Sequence, residues 1–190
     1  TGVAELDRVL GGGVVPGSVT LVGGEPGIGK STLLLQTLAA MAASGSRALL
    51  VSAEESKQQV RLRAERLGAL HPDLWIVGET VLPAVLAALD EVKPDVVVID
   101  SVQTIFDPEL GSAPGSVTQV RECAHALVRE AKARGVATKL AAIGDLHVGE
   151  NMDRPFRDLF SKISQDADVL ALCGDLTNFG KTPEAEILAE

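Results

Sequence analysis

The chain of 190 residues has no tyrosine, one tryptophan (Trp75), four phenylalanines and two cysteines. So few aromatics leave little material for stacking on nucleobases. Cys123 and Cys173 stand far apart and lack metal-ligand spacing, so neither a structural zinc nor a disulfide is expected, which suits a reducing cytoplasm. A positive surplus is also missing: 26 acidic side chains outnumber 17 basic ones, for a net charge of −9. That argues against a nucleic-acid surface spread over the whole molecule, though not against a local patch. The trio Arg61, Arg63 and Arg66 is such a patch, and it reads as a solvated helix face. No apolar run is long enough to span a bilayer, and no signal peptide is evident. The sequence begins at Thr1 without methionine and reads as a piece of a longer chain.

The sequence is rich in alternation. Apolar runs at Val19–Gly23, Ala48–Ser52, Leu74–Val77, Val96–Asp100, Leu140–Gly144 and Val169–Cys173 read as strands. Between them, Lys30–Ala43, Ser56–Leu67, Leu82–Glu91, Val117–Ala133 and Arg154–Ser164 read as helices. Continuous apolar strands alternating with helices predict an α/β fold with a mostly parallel, doubly wound sheet buried on both faces. Right-handed crossovers then place ligands at the carboxyl ends of the strands. The segment Leu110–Ser116, Leu-Gly-Ser-Ala-Pro-Gly-Ser, reads as a mobile loop.

The first strand runs into Gly24-Glu25-Pro26-Gly27-Ile28-Gly29-Lys30-Ser31, which fits G-x-x-x-x-G-K-S, the phosphate-binding loop of nucleoside triphosphatases. Its glycines allow backbone N–H groups to converge on phosphate oxygens, and the helix that opens at Lys30 and continues through Thr32 aims its N-terminus at them. Lys30 would reach the β and γ phosphates, and the Ser31 hydroxyl would ligate Mg²⁺. The strand ending at Asp100 supplies the carboxylate expected to hold that Mg²⁺ beside Ser31. Leu50-Val-Ser-Ala-Glu54-Glu55-Ser56 ends another strand. Glu54 there is placed to orient the attacking water; Glu55 serves equally well as an acidic first helix turn, with Ser52 as its cap. Gln103, just past Asp100, is a candidate sensor of the γ-phosphate. ATP and Mg²⁺ are therefore the expected cofactors.

These segments, together with Thr1–Gly13, Pro16-Gly17-Ser18, Asp100-Ser-Val-Gln-Thr104 and Ser112–Cys123, resemble bacterial RadA (Sms), a family of RecA-like DNA-repair ATPases, from Thr1 to about Ala137. The resemblance implies a RecA-like P-loop core over residues 1–138, a hexameric ring, single-stranded DNA as partner with Leu110–Val120 facing it, and Glu54 as the residue that activates water. It also leads one to expect a four-cysteine zinc module ahead of Thr1, a Lys-Asn-Arg-Phe-Gly motif after the strand at Leu140, and a protease-like domain; none of these occurs in this sequence, so turnover is expected to be impaired. From Lys139 the sequence resembles instead the start of a calcineurin-like metallophosphoesterase, with a D-x-H at Asp145 and His147 and a G-D at Asp175. That resemblance implies that Asp145 and His147 bind one metal ion and Asp175 bridges two, with Mn, Fe or Zn as the ions. The later histidines of that family are missing. Residues 139–190 read either as a fused phosphoesterase-like βαβ fragment that extends the same sheet, which the spacing favours, or as a diverged tail. Residues 1–138 carry twelve basic and sixteen acidic side chains, and residues 139–190 five and ten, so the tail weakens the case for DNA.

Overall fold

Five strands of five residues each form one sheet, all parallel, in the order β1-β5-β4-β2-β3. The structure, a computed structural model, describes residues 1–15, 18–23, 27–134 and 138–142. In chain order the elements are α1 (Ala4–Val9), β1 (Ser18–Val22), α2 (Lys30–Ala43), β2 (Ala48–Ser52), α3 (Lys57–Leu67), β3 (Leu74–Gly78), α4 (Leu82–Val92), β4 (Val96–Asp100), a 3-10 turn at Val102–Thr104, α5 (Val117–Ala133) and β5 (Thr138–Ala142).

The sheet is covered on both faces because β2 and β4 are apolar at their first four positions. Strand geometry sends successive side chains to opposite sides. Ala48 and Leu50 of β2, with Val96 and Val98 of β4, pack with Leu34, Leu35 and Leu38 of α2 and Val60 and Ala64 of α3. Leu49 and Val51, with Val97 and Ile99, pack with Val85 and Leu89 of α4 and Val120, Cys123 and Leu127 of α5. Leu34, Leu35 and Leu38 are fully buried, and each such side chain contributes about 1.5–3 kcal/mol by leaving water.

The helix limits follow local chemistry. Ser56 caps α3 by accepting from the Gln59 backbone N–H, and the Gln59 side chain returns the bond in a capping box. Ser52, the cap expected from the sequence, instead closes a tight turn: its hydroxyl donates to the Glu55 carbonyl at 2.8 Å. Helices α2 and α5 keep their sequence-derived limits, and α4 runs one residue further, to Val92. Helix α1 and the turn at Val102–Thr104 were not foreseen; α1 is a single short stretch with no buried residue, so it has no apolar period to read.

Strand β5 starts two residues before the expected Leu140. Its register explains the shift: Thr138 aligns with both Ser18 of β1 and Val96 of β4, so the two neighbours fix where pairing begins. The strand spans residue 139, where the sequence alone suggested a boundary, and pairs on both sides with strands of the preceding part. The expected strand Val169–Cys173 and helix Arg154–Ser164 lie outside the described residues.

Candidate active site

The carboxyl ends of β2 and β4 are level, since Ser52 pairs with Asp100, and the Ala53 N–H donates to the Asp100 carbonyl at 2.7 Å. That register brings the residues after each strand side by side. Ser101, directly after β4, donates its hydroxyl to Glu54 Oε1 at 2.5 Å, which fixes one oxygen of that carboxylate. Ser101 itself is buried.

Strand β5 separates β1 from β4, so a gap of about 10 Å opens between the carboxyl ends of the strands that carry the phosphate-loop motif and Asp100. The N-terminus of α2 fills one side of it. Gly29 caps α2 with φ 105° and Gly27 has φ 81°, both in the left-handed region that only glycine adopts without strain. The chain can thus turn sharply and leave the first N–H groups of α2 pointing outward.

The result is a cleft of about 360 Å³. Gly27, Gly29, Lys30, Ser31 and Thr32 line it from the loop side. Glu54, Asp100 and Gln103 line it from the strand ends, together with Ser52 and Ser101. The Ser31 hydroxyl hydrogen-bonds the Asp100 carboxylate. Burial pushes the Asp100 pKa up; the Ser31 hydrogen bond opposes this, and the neighbouring carboxylates Glu54 and Glu55 add to it. Three carboxylates share the cleft with the cations of Lys30 and Arg63.

Ile28 of the loop is 69% exposed and its side chain lies away from the cleft. Gly24, Glu25 and Pro26 lie outside the described residues, as do Asp145, His147 and Asp175. Among the described residues no three His, Cys, Asp or Glu side chains are grouped so that they could hold a metal ion by themselves, the three carboxylates of the cleft included.

Two features differ from the sequence reading or were missed by it. Arg63 is not on a solvated face. Its guanidinium pairs with Glu55 Oε1 at 2.5 Å and lines the cleft, with only 22% of the side chain exposed. Arg61, by contrast, is exposed and pairs with Glu65 along the helix. Gln119 is the second. Buried within α5, it accepts from the Asp107 N–H and donates to the carbonyls of Asp107 and Ser112. The loop Leu110–Ser116, read from sequence as mobile, is thereby tied to α5 close to the 3-10 turn that holds Gln103. Cys123, one turn on, is buried and free, its thiol pushed up to about 11 chiefly by burial.

A parallel α/β sheet with a loop–helix cradle, an extra strand between the two nucleotide-site strands, and Glu54 beside Asp100 defines a RecA-like P-loop core. Residues 1–81 match the family model of the KaiC ATPase. The DNA repair protein RadA of Halalkalibacterium halodurans is 50% identical over 159 residues, 80% of this chain and 35% of the relative. RadA of Listeria monocytogenes is 51% identical over the same shares, and RadA of Mycolicibacterium smegmatis is 55% identical over 145 residues, 76% of this chain and 29% of that protein. Over most of its length the chain is thus similar to the RadA proteins, and its fold is that of a RecA-like P-loop core. It spans about a third of the length of the curated relatives it matches.

Proposed function

We propose that this chain binds ATP with Mg²⁺ at the carboxyl ends of β1, β2 and β4, and hydrolyses it. The observation that carries this reading is the convergence of Lys30, Ser31, Glu54 and Asp100 on one cleft. Backbone N–H groups of the Gly24–Thr32 loop would take the phosphate oxygens, and Lys30 the β and γ phosphates. Ser31 and Asp100 offer hard oxygen ligands in mutual contact, and the crowded carboxylates around them favour a divalent cation. When bound, Mg²⁺ would neutralise negative charge on the phosphates. Glu54, oriented by the Ser101 hydroxyl, would position and polarise the attacking water. Gln103, which lines the same cleft shortly before the Asp107–Ser116 segment, would sense the terminal phosphate.

The wider role is a reading by analogy with RadA: a cytoplasmic protein of DNA repair and recombination, acting as a homo-oligomeric ring on single-stranded DNA through Leu110–Val120. Among the described residues no helix is long and apolar enough to cross a membrane. With the Lys-Asn-Arg-Phe-Gly motif missing, hydrolysis by this chain alone is expected to be slow. The test is calorimetric titration of ATP with Mg²⁺ into the wild type and into Lys30→Ala. Unchanged affinity in the variant would remove the assignment.

A further inference from the structure

Arg63 stands on α3, yet its guanidinium lies in the cleft. The geometry explains how. Helical side chains lean toward the N-terminus of their helix, and the N-terminus of α3 lies at the nucleotide end of the sheet, directly after β2. Arg63 is six residues into α3, about 9 Å along the axis. A side chain as long as arginine's recovers most of that distance. Glu55, just ahead of the Ser56 cap, receives it.

The position relative to the loop is as telling as the contact. The order β1-β5-β4-β2 places β2 three strands from the phosphate loop, about 14 Å away. Arg63 therefore approaches from the far side of the cleft, beyond Asp100 and beside Glu54. A nucleotide seated on the loop would reach this side with its last phosphate first, and a diphosphate would end short of it. Glu55 lines the same cleft but is engaged by Arg63, whereas Glu54 is engaged by a neutral hydroxyl. The two adjacent glutamates thus have different partners, and the difference separates their roles. Glu54, engaged by a hydroxyl, is the one placed to act on water, and Glu55 serves to hold a cation.

Resting on the ATP-site reading above, we propose that Arg63, held in the cleft by Glu55, contacts the terminal phosphate of a bound nucleoside triphosphate from within the same chain, so that the cleft distinguishes triphosphate from diphosphate. An arginine acting in cis takes the place commonly filled by a basic residue from a neighbouring subunit, and its planar fork suits a phosphate better than the point charge of lysine.

The experiment measures affinity for ATP and for ADP, each with Mg²⁺, by calorimetry on the 190-residue chain in wild type, Arg63→Ala, Arg63→Lys and Glu55→Gln. Loss of a charge-assisted contact predicts that Arg63→Ala weakens ATP about ten-fold while ADP stays within about two-fold. Arg63→Lys recovers part of the loss. Glu55→Gln, which frees Arg63 from its anchor without removing it, has a smaller effect on ATP and none on ADP. Equal weakening of ATP and ADP in Arg63→Lys and Arg63→Ala, or an unchanged ATP affinity in Arg63→Ala that retains wild-type circular dichroism, overturns the proposal. Should Arg63→Ala not fold, the ATP-to-ADP ratio of Arg63→Lys decides alone, and a ratio equal to that of the wild type contradicts it. A wild type that binds neither nucleotide fails differently: it removes the ATP-site reading, and the proposal with it.

Discussion

The Ser31 hydroxyl hydrogen-bonds the Asp100 carboxylate across the width of β5, joining the start of α2 to the end of β4. Two parts of the sequence that are far apart in the chain meet as one pair of oxygen ligands. The contact joins the two side chains proposed above to hold Mg²⁺.

Asp100 is held above its ordinary value of 3.8 mainly by burial, with Glu54 and Glu55 adding to the effect. Its ionised form is thus less favourable in the folded protein than in the unfolded chain. The protein loses stability as pH rises through the interval between the unfolded and folded values. Asp100→Asn removes that charge while keeping an oxygen that can accept from Ser31. The variant is expected to melt at a higher temperature than the wild type at pH 7 without nucleotide, and the gain shrinks as pH falls toward 3.8. The same variant loses the enhancement of ATP binding by Mg²⁺. Melting curves across pH and titrations with and without Mg²⁺ check both halves.

Gln119 is buried and bonded to the backbone of Asp107 and Ser112. Gln119→Ala leaves those buried groups without their partner and is expected to cost about 2–4 kcal/mol in urea unfolding. Amide hydrogen exchange over residues 107–116 would quicken well beyond that of the sheet. Exchange that stays as slow as in the wild type would show that the loop does not depend on Gln119.

Arg134, just past α5, reaches Asp90 of α4 at 2.6 Å and Glu130 at 2.7 Å. Its hydrogen bonds hold both carboxylates below their usual range. Lowered carboxylate values mean stability that is present above the unfolded values and lost as pH falls through the folded ones. Arg134→Ala is expected to lower the melting temperature slightly at pH 7 and in low salt. The gap to wild type should close in acid and in high salt, as measured by circular dichroism.

Leu35 and Leu38 of α2 are fully buried against β2 and β4. Leu38→Ala is expected to cost about 2–5 kcal/mol by urea unfolding. Because α2 also presents the loop to the nucleotide, the same change should weaken ATP binding. The effect on binding should be far smaller than that of Lys30→Ala, since no ligand contact is removed.

Much of this was legible because the central strands carry one kind of information twice. Ala48–Val51 and Val96–Ile99 are apolar at each step, as a strand covered on both faces requires, and each runs directly into a polar residue, Ser52 or Asp100. Thr138 and Lys139 carry no such signal, so the start of β5 is set by pairing with Ser18 and Val96. Arg63 was misread for a related reason. Helical periodicity assigns it to the polar side of α3, and nothing local distinguishes a side chain that reaches back to Glu55 from one in water. Its neighbour Arg61, of the same type and on the same helix, does face solvent. Gln119 was passed over because a single polar residue in an amphipathic helix reads as surface unless the loop beneath it is known.

The central claim is that the cleft at Lys30, Glu54 and Asp100 turns over ATP with Mg²⁺. The measurement that tests it most directly is phosphate release from ATP by the purified chain, compared with Glu54→Gln, alongside ATP affinity for both. The account predicts slow, Mg²⁺-dependent release by the wild type, a loss of about 100-fold or more in Glu54→Gln, and affinity kept within a few-fold. Release that continues unchanged in Glu54→Gln, or that proceeds equally well without a divalent ion, would contradict it.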